Sequence, residues 1–256
     1  MELADRGHAA MADRYSLGAE IDGGEVVSTA DGVIYAGASD FPVMVNGAIP
    51  IAGDPRKLAT EARSFFADRG RGFSLFARDK VEDEAATEAG MHVLIERYPA
   101  MLRTEPFPER ALPDGIELRR VRDDAGARDY SAVADAAFPA IGMPPGLLAD
   151  MRPETFLRDD SAGFVAYERE RPVAAASVML ARGIGGIQWV GVLEEARGRG
   201  LAALCTAAAA NAGFELGADC AWLEASHMGE PVYVRMGFEE VYSYRIYVAA
   251  PPEKAA

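Results

Sequence analysis

Cysteines and long apolar runs are scarce in this sequence. Only Cys205 and Cys220 occur among 256 residues, so no disulfide framework is expected, and their apolar neighbours predict two buried, unreactive thiols. No run approaches the ~18 apolar residues that a membrane-spanning helix needs. The first residues also lack the basic-then-apolar pattern of a signal peptide. These absences predict a cytoplasmic protein that does not enter the membrane.

Clusters of basic residues are missing as well. The chain has 26 Lys and Arg against 40 Asp and Glu, which gives a net charge of −14. Residues 1–112 hold 12 basic and 19 acidic residues, so this charge is shared evenly between residues 1–112 and the rest. Nucleic-acid phosphates are bound by concentrated Lys and Arg, and we therefore expect no nucleic-acid partner. The acidity favours amine substrates by electrostatic steering, or it serves solubility alone.

Hydrophobic residues, by contrast, make up 50% of the chain, enough for a large buried core. The segment 105–115 contains three prolines and a glycine, a composition typical of a linker or a long turn. We therefore predict two domains, one formed by residues 1–112 and the other by residues 113–256.

In the first domain, turn residues and hydrophobic periodicity predict alternating strands and helices. Asp54 as N-cap and Pro55 at the first helical position mark the start of one helix. Residues 1–30 are polar and Gly-rich and predict short strands only, whereas residues 91–104 fit either a strand or a helix. The other predicted elements are strands 32–37, 42–51 and 73–77 and helices 55–69 and 81–89.

The second domain has a longer series of elements. Their predicted order is β-α-α-β-β-β-α-β-α-β, a mixed α/β fold with a meander before a long helix. The predicted elements are strand 116–121, helices 124–138 and 145–151, strands 163–167, 173–180 and 187–192, helix 199–216, strand 221–225, helix 229–236 and strand 241–248.

The loop before the long helix has the composition of a diphosphate site. It reads Arg197-Gly198-Arg199-Gly200. Glycines let the backbone approach a ligand closely, a helix N-terminus favours an anion, and guanidinium groups pair with phosphate oxygens. The simpler alternative is that the glycines only relieve crowding. A Rossmann loop would need a third glycine where Ala203 stands, and a P-loop would need a following Gly-Lys-Ser/Thr.

Two motifs together suggest a family. Arg197-Gly198-Arg199-Gly200-Leu201-Ala202 resembles the Arg/Gln-x-x-Gly-x-Gly/Ala signature of the GCN5-related N-acetyltransferases (GNAT). The stretch 223–238, with its Tyr233-x-x-x-Gly237-Phe238 ending, resembles the last conserved segment of that family at its usual separation. The resemblance covers residues 113–249 and implies an α/β GNAT fold there.

The resemblance also implies acetyl-CoA as cosubstrate and assigns its contacts. The strand before the loop would bond the pantetheine arm through its backbone, and the loop would hold the pyrophosphate. Tyr233 would be the general acid that protonates the departing thiolate, its alternative being a packing aromatic. The implied cofactor-binding residues are Val190, Gly191, Val192, Arg197, Gly198, Arg199, Gly200, Leu201, Ala202, Ser226 and Tyr233. No metal is expected.

Two positions depart from the family pattern. Ser226 stands where many members have Asn, and its shorter side chain makes a weaker cofactor contact. Strand 187–192 lacks the Glu that some members use as general base. Glu224 or His227 could deprotonate an amine through water, although an exposed carboxylate and a solvent-facing loop residue are the simpler interpretations. The remaining alternative is that water is the base.

Residues 1–112 resemble the decayed first domain of tandem acetyltransferases. Their run Arg69-Gly70-Arg71-Gly72 follows a helix, the wrong polarity for binding an anion, so Gly70 is predicted to end that helix. For the whole chain we predict acetyl transfer from acetyl-CoA to a primary amine of a small molecule or protein. The alternatives are an acyl-CoA sensor without turnover and a vestigial interaction protein. The intact loop argues against the vestigial protein. Neither the acceptor nor the oligomeric state follows from the sequence.

Overall fold

The computed structural model describes residues 2–109 and 111–251. The chain forms two compact units. The first contains the residues up to Ala100 together with those from Val241 onward, and the second extends from Met101 to Glu240. The last strand therefore belongs to the first unit. The predicted boundary near residue 112 places this strand in the second domain instead, because hydrophobic alternation predicts a strand but not the sheet that the strand joins.

The first unit is a mixed sheet with helices on both faces. Its elements are α1 (Leu3–Ile21), β1 (Glu25–Ser28), β2 (Gly32–Ala36), β3 (Asn46–Pro50), α2 (Pro55–Ala67), β4 (Phe73–Ala77), α3 (Lys80–Glu88), β5 (His92–Arg103) and β11 (Glu239–Ala249). The strand order is β1-β2-β3-β4-β11-β5. Strands β3 and β4 are parallel, whereas β1–β2, β2–β3 and β4–β11 are antiparallel.

For residues 1–30 the sequence predicts short strands, and helix α1 contradicts that prediction over most of the segment. Eight of its 19 residues are buried, and four of these are the alanines Ala9, Ala10, Ala12 and Ala19. Tyr15 of α1 stacks on Tyr35 of β2 with ring centroids 5.4 Å apart. Scattered polar residues hide the apolar period of this segment, and packing on the sheet stabilises the helix.

The remaining predicted elements of the first unit are confirmed within a few residues. The Asp54 carboxylate accepts a hydrogen bond from the backbone N–H of Arg56 at 3.0 Å, and Pro55 is the first residue of α2. The ambiguous segment 91–104 is strand β5. Gly70 follows the end of α2 in the left-handed conformation, with φ +64°.

A buried chain of hydrogen bonds ties α1 to the sheet of the first unit. His8 Nε2 contacts the Pro50 carbonyl oxygen, and Nδ1 lies 2.8 Å from the Tyr244 hydroxyl. A carbonyl only accepts, so Nε2 bears the proton and Nδ1 accepts from Tyr244. The Tyr242 hydroxyl, 2.8 Å from that of Tyr244, then donates to it. These three polar side chains thus form one continuous chain of hydrogen bonds.

The second unit is a five-stranded sheet between helices. Its elements are β6 (Ile116–Arg120), α4 (Asp124–Ala137), α5 (Glu154–Leu157), β7 (Ser161–Glu168), β8 (Arg171–Ala181), β9 (Ile184–Val192), α6 (Leu201–Glu215), β10 (Cys220–Glu224) and α7 (Glu230–Arg235). The order is β10-β9-β8-β7-β6. Only β9 and β10 are parallel.

Helices α4 and α6 lie on opposite faces of this sheet. The core under α6 includes Ala174 and Ala176 of β8, whereas the core under α4 includes Ala175 between them. Successive strand residues point to opposite faces, so the two helices cover different sides. Cys205 and Cys220 are buried, as predicted.

Two predictions for the second unit need correction. Residues 145–151 form turns and not a helix, because the Asp135 carboxylate accepts hydrogen bonds from the backbone N–H groups of Gly146 and Leu148. The Pro-rich segment is not a free linker at its start. Phe107 N–H donates to Asn211 Oδ1 at 2.7 Å, and Asn211 Nδ2 donates to the Phe107 carbonyl at 2.9 Å.

None of the helices in the described residues combines the length and apolarity that a membrane crossing requires.

Candidate active site

Strand β9 contains a β-bulge near its end. Its pairing with β8 includes Ser177 opposite Gln188 and resumes with Ala175 opposite Gly191. Two residues of β9, Trp189 and Val190, therefore face a single residue of β8. Trp189 adopts the left-handed conformation, with φ +53°. A bulge of this kind bends the strand and redirects the backbone that follows it.

Two buried hydroxyls hold the bulge. Ser177 Oγ lies 3.2 Å from the Gln188 carbonyl oxygen, and the Tyr130 hydroxyl lies 3.1 Å from the Trp189 carbonyl oxygen. The Tyr130 hydroxyl also lies 3.0 Å from Ser177 Oγ, so the two hydroxyls form one cluster with both carbonyls. Burial raises the pKa of Tyr130 well above its usual range, so this donor stays protonated.

Beyond its first residues, β9 diverges from β10. Within the described part of the chain, the ladder between them runs from Ile184–Cys220 to Gly186–Trp222 and ends there. The segment 187–192, which includes Val190 and Val192, then has no strand beside it on that edge. An extended ligand can bond to such a free strand edge. Gly191 has a packing role, because a Cβ there would lie 3.1 Å from Ala137 Cβ of α4.

The loop between β9 and α6 is shaped by two left-handed glycines. Gly198 has φ +74° and Gly200 has φ +78°. A Cβ at either position would have no heavy atom within 4 Å, so the glycines do not relieve crowding. Gly200 is the N-cap of α6 and provides no side-chain cap. The first N–H groups of the helix, beginning at Leu201 and Ala202, are therefore left for an anion.

The loop arginines are held only lightly. Arg199 Nη2 lies 2.6 Å from Glu168 Oε1, and the two side chains are 38% and 40% exposed. This contact lowers the pKa of Glu168. Exposed ion pairs contribute little stability, so a phosphate could replace Glu168 at small cost. Arg197 Nε donates to the Val192 carbonyl at 3.3 Å, which places it beside the end of β9.

Tyr233 lies on α7 and is 8% exposed. Burial raises the pKa of its phenol above the usual range. The phenol is therefore protonated at neutral pH and can donate a proton. Its ring lies edge-on to Phe238, with centroids 5.9 Å apart.

The turn before α7 makes room for this ring. A Cβ at Gly229 would lie 2.8 Å from Tyr233 Cε2, so a larger residue would displace the tyrosine. Ser226 Oγ accepts from the Gly229 N–H at 3.2 Å, and the Ser226 carbonyl accepts from the Glu230 N–H at 2.9 Å. The Ser226 hydroxyl thus stabilises the turn, and its contact with a cofactor stays a prediction.

The two candidate bases differ in their surroundings. Trp222 Nε1 donates to Glu224 Oε1 at 2.8 Å, and the Trp222 side chain is fully buried. Leu223 belongs to the core under α6, so Trp222 and Glu224 point to the α4 face. His227 is exposed in the turn that follows. Of these two candidate bases, the Glu224 carboxylate is therefore better oriented than the His227 imidazole.

Residues 128–238 match the family model described as "Acetyltransferase (GNAT) family". This part of the chain belongs to the GNAT family. The bulge, the glycine loop and Tyr233 all lie within the matched residues, and the family predicted from the two motifs is confirmed.

Solved structures with this fold extend over nearly the whole chain. A GCN5-related N-acetyltransferase from Kribbella flavida has 21% identity and a TM-score of 0.77, covering 98% of this chain and 97% of that one. A tandem GNAT protein from the clavulanic acid biosynthesis pathway has 16% identity and a TM-score of 0.62, covering 99% and 97%. At these levels of sequence identity, the similarity shows a shared fold and nothing further. No curated protein matches the sequence significantly.

Several residues of the GNAT site escape sequence reasoning. The Tyr130 and Ser177 hydroxyls hold the bulge from other elements, and only the three-dimensional contact reveals them. Trp189 gives no signal, since a bulky residue is among the least expected in a left-handed position.

Proposed function

We propose that the protein is an N-acetyltransferase that moves the acetyl group of acetyl-CoA to a primary amine. The observation that carries this proposal is the pair of left-handed glycines, Gly198 and Gly200, before the uncapped N-terminus of α6. Such a loop suits the pyrophosphate of coenzyme A, because backbone N–H groups and the helix dipole both favour the anion there.

Several features of the structure support the predicted contacts. The free edge of β9 at Val190 and Val192 would bind the amide groups of the pantetheine arm. Arg197 and Arg199 would contribute charge to the pyrophosphate, with Arg199 exchanging Glu168 for a phosphate oxygen. Ser226 has its hydroxyl engaged in the turn, so we assign it the smallest part in binding.

Acetyl-CoA supplies the acetyl group as a thioester. The amine nitrogen forms a bond to the thioester carbon, the carbon–sulfur bond breaks, and the departing thiolate takes the Tyr233 proton. The excess proton of the new ammonium group leaves through water, with Glu224 as a candidate acceptor on the α4 face. The phenol then recovers its proton from solvent.

An acyl-CoA sensor without turnover is the second candidate. It is favoured by the absence of a carboxylate on β9 and by the engagement of Glu224 with Trp222. Release of free thiol from acetyl-CoA, followed with a panel of primary amines, separates the two. Saturable binding of acetyl-CoA without thiol release for any amine would support the sensor and contradict the enzyme.

We further propose that the first unit is a decayed GNAT-like domain that binds no coenzyme A. Its Arg69-Gly70-Arg71-Gly72 run closes the end of α2. Isothermal titration with coenzyme A should give one site per chain, and two sites would refute this assignment. The cytoplasmic location inferred from the sequence also stays a prediction.

A further inference from the structure

Trp189 occupies a conformation that costs free energy for its side chain. Its φ of +53° lies in the left-handed region, where a non-glycine residue is disfavoured by roughly 1–2 kcal/mol. The same strand has Gly185 and Gly191, yet neither has a positive φ. Both are explained by close packing against Ala218 and Ala137. The strand therefore places a tryptophan at the bulge position where glycine would be least strained.

This strained backbone is held on both sides. The Tyr130 hydroxyl is 3.1 Å from the Trp189 carbonyl oxygen, and Ser177 anchors the preceding carbonyl of Gln188. Strained residues persist where their surroundings over-determine them, and they concentrate at functional sites. The surroundings of Trp189 meet that description, which directs attention to what its indole contacts.

The indole forms one side of a half-buried apolar patch. Its ring centroid lies 5.4 Å from that of Phe138, the first residue after α4, at an angle of 59°. Leu147 and Met151 pack against the same core and are also only partly buried. The loop that bears them is fixed by the Asp135 carboxylate through the N–H of Leu148. The patch is thus rigid and partly open.

The position of the patch relates it to the proposed acetyl transfer. It lies on the α4 face, beside the bulge and the segment of β9 that has left β10, whereas α6 and Tyr233 occupy the other face. We expect the amine to approach the thioester from the face that α6 does not fill. Glu224 points to that same α4 face and offers a negative charge to an ammonium group.

We propose that Trp189 and Phe138 form the wall of the acceptor subsite and select primary amines that carry a flat apolar group, such as arylalkylamines. This inference rests on the proposed acetyltransferase function. An aromatic ring gains offset or edge contacts with both side chains, which a small polar amine does not make. Trp189 is then a specificity-determining residue rather than a group that moves a proton.

The first test compares acceptors. For the wild type, kcat/KM for phenethylamine should exceed that for ethanolamine by about tenfold or more. Trp189→Gly suits the left-handed backbone, so it should fold and bring that ratio to within about threefold of one, with the KM for acetyl-CoA unchanged. Leu157→Ala, which trims an exposed apolar residue elsewhere, should leave the ratio unchanged. A ratio that Trp189→Gly does not alter would overturn the proposal.

The second test needs no turnover. Labelling with 5-fluorotryptophan yields two fluorine resonances, from Trp189 and from the fully buried Trp222. With coenzyme A present, phenethylamine should shift the Trp189 resonance saturably, and Phe138→Ala should weaken that binding about tenfold. A Trp189 resonance that saturating phenethylamine does not move would refute the subsite. Failure of the acetyltransferase function alone would abolish thiol release yet leave this shift.

Discussion

The two units contain the same four residues in a row, Arg-Gly-Arg-Gly, at 69–72 and at 197–200. The first run follows helix α2 and the second precedes helix α6. The composition is identical, and the glycines at 70 and 200 share the left-handed conformation with open space where a Cβ would be. The runs differ in which end of a helix they adjoin.

At the first run, backbone N–H groups and both arginine side chains have local partners. The N–H groups of Gly70 and Arg71 donate to the last carbonyls of α2, at 3.0 Å each. Arg69 pairs with Glu25 at 2.8 Å, and Arg71 pairs with Asp40 at 2.8 Å. The negative end of the helix dipole would also repel an anion. This run closes its helix and contributes to stability alone.

At the second run the free groups are donors. The helix presents uncapped N–H groups and the positive end of its dipole, and Gly200 offers no side-chain oxygen to occupy them. The comparison teaches that helix polarity, and not the residues of the run, decides whether such a loop presents backbone donors to an anion.

The largest effect that separates the units is expected from Tyr233→Phe. Losing the proton donor should lower kcat about a hundredfold or more, while the KM for acetyl-CoA stays within about threefold. Thiol release measures both constants. Tyr167→Phe is the control, since it removes a hydroxyl from another buried tyrosine of the second unit, one bonded to Asp129 at 2.7 Å. If Tyr233→Phe keeps full kcat, Tyr233 is only a packing residue.

The first unit should respond to pH through His8. Burial lowers the pKa of His8 to about 4, and the positive charge of Arg78 adds to the shift. The unfolded chain then binds the proton first, near the ordinary pKa of about 6.5, so unfolding becomes easier as pH falls from about 6.5 to about 4. The loss amounts to about 3 kcal/mol of unfolding free energy.

Chemical denaturation at several pH values measures this loss, and His8→Gln is the informative variant. Its amide can still donate to the Pro50 carbonyl but does not titrate, so the variant should lose the His8 contribution. Burial raises the pKa of Glu82, a contribution of opposite sign that both proteins share and that cancels in their difference. Equal pH profiles for the two proteins would show that His8 does not carry the effect.

The site could be predicted from the sequence where it depends on one continuous segment. The loop 197–202 and Tyr233 lie on single turns, so a short motif specifies both their chemistry and their place. Strands 32–37 and 73–77 could be predicted for the same reason, since hydrophobic periodicity is local. The GNAT fold follows from these motifs together with the order of elements.

The parts that escape prediction depend on contacts between distant segments. Tyr130 reaches the Trp189 carbonyl across 59 positions, and nothing in either neighbourhood marks the pair. Helix α1 is missed because its stability comes from packing on β2 rather than from a clear apolar period. The predicted helix at 145–151 is absent because two backbone N–H groups there donate to the Asp135 carboxylate. Helix propensity does not reveal such a contact with another segment.

The two glycines provide a matched test of the opening comparison. Gly200→Ala and Gly70→Ala place a methyl group at left-handed positions with no neighbour within 4 Å, so both should lower the unfolding free energy by about 1 kcal/mol. Only Gly200→Ala should also raise the Kd for coenzyme A, by about tenfold, because relief of the strain moves the loop. Calorimetric titration measures the Kd. A comparable rise for Gly70→Ala would contradict the assignment of coenzyme A to the second unit.

The smallest effect on coenzyme A binding is expected when one of two buried tyrosine hydroxyls is removed. These hydroxyls lie in different units and have different structural roles. Tyr130→Phe removes the hydroxyl that contacts Ser177 Oγ and the Trp189 carbonyl, whereas Tyr244→Phe removes the donor to His8 Nδ1. Each change leaves a buried acceptor unpaired and should lower the unfolding free energy by about 1–3 kcal/mol. Tyr130→Phe should in addition raise the Kd for coenzyme A about threefold, since the bulge redirects the β9 edge that would hold the pantetheine arm. If both variants lose stability equally and neither changes the Kd, the bulge hydroxyl is as purely structural as its counterpart in the first unit.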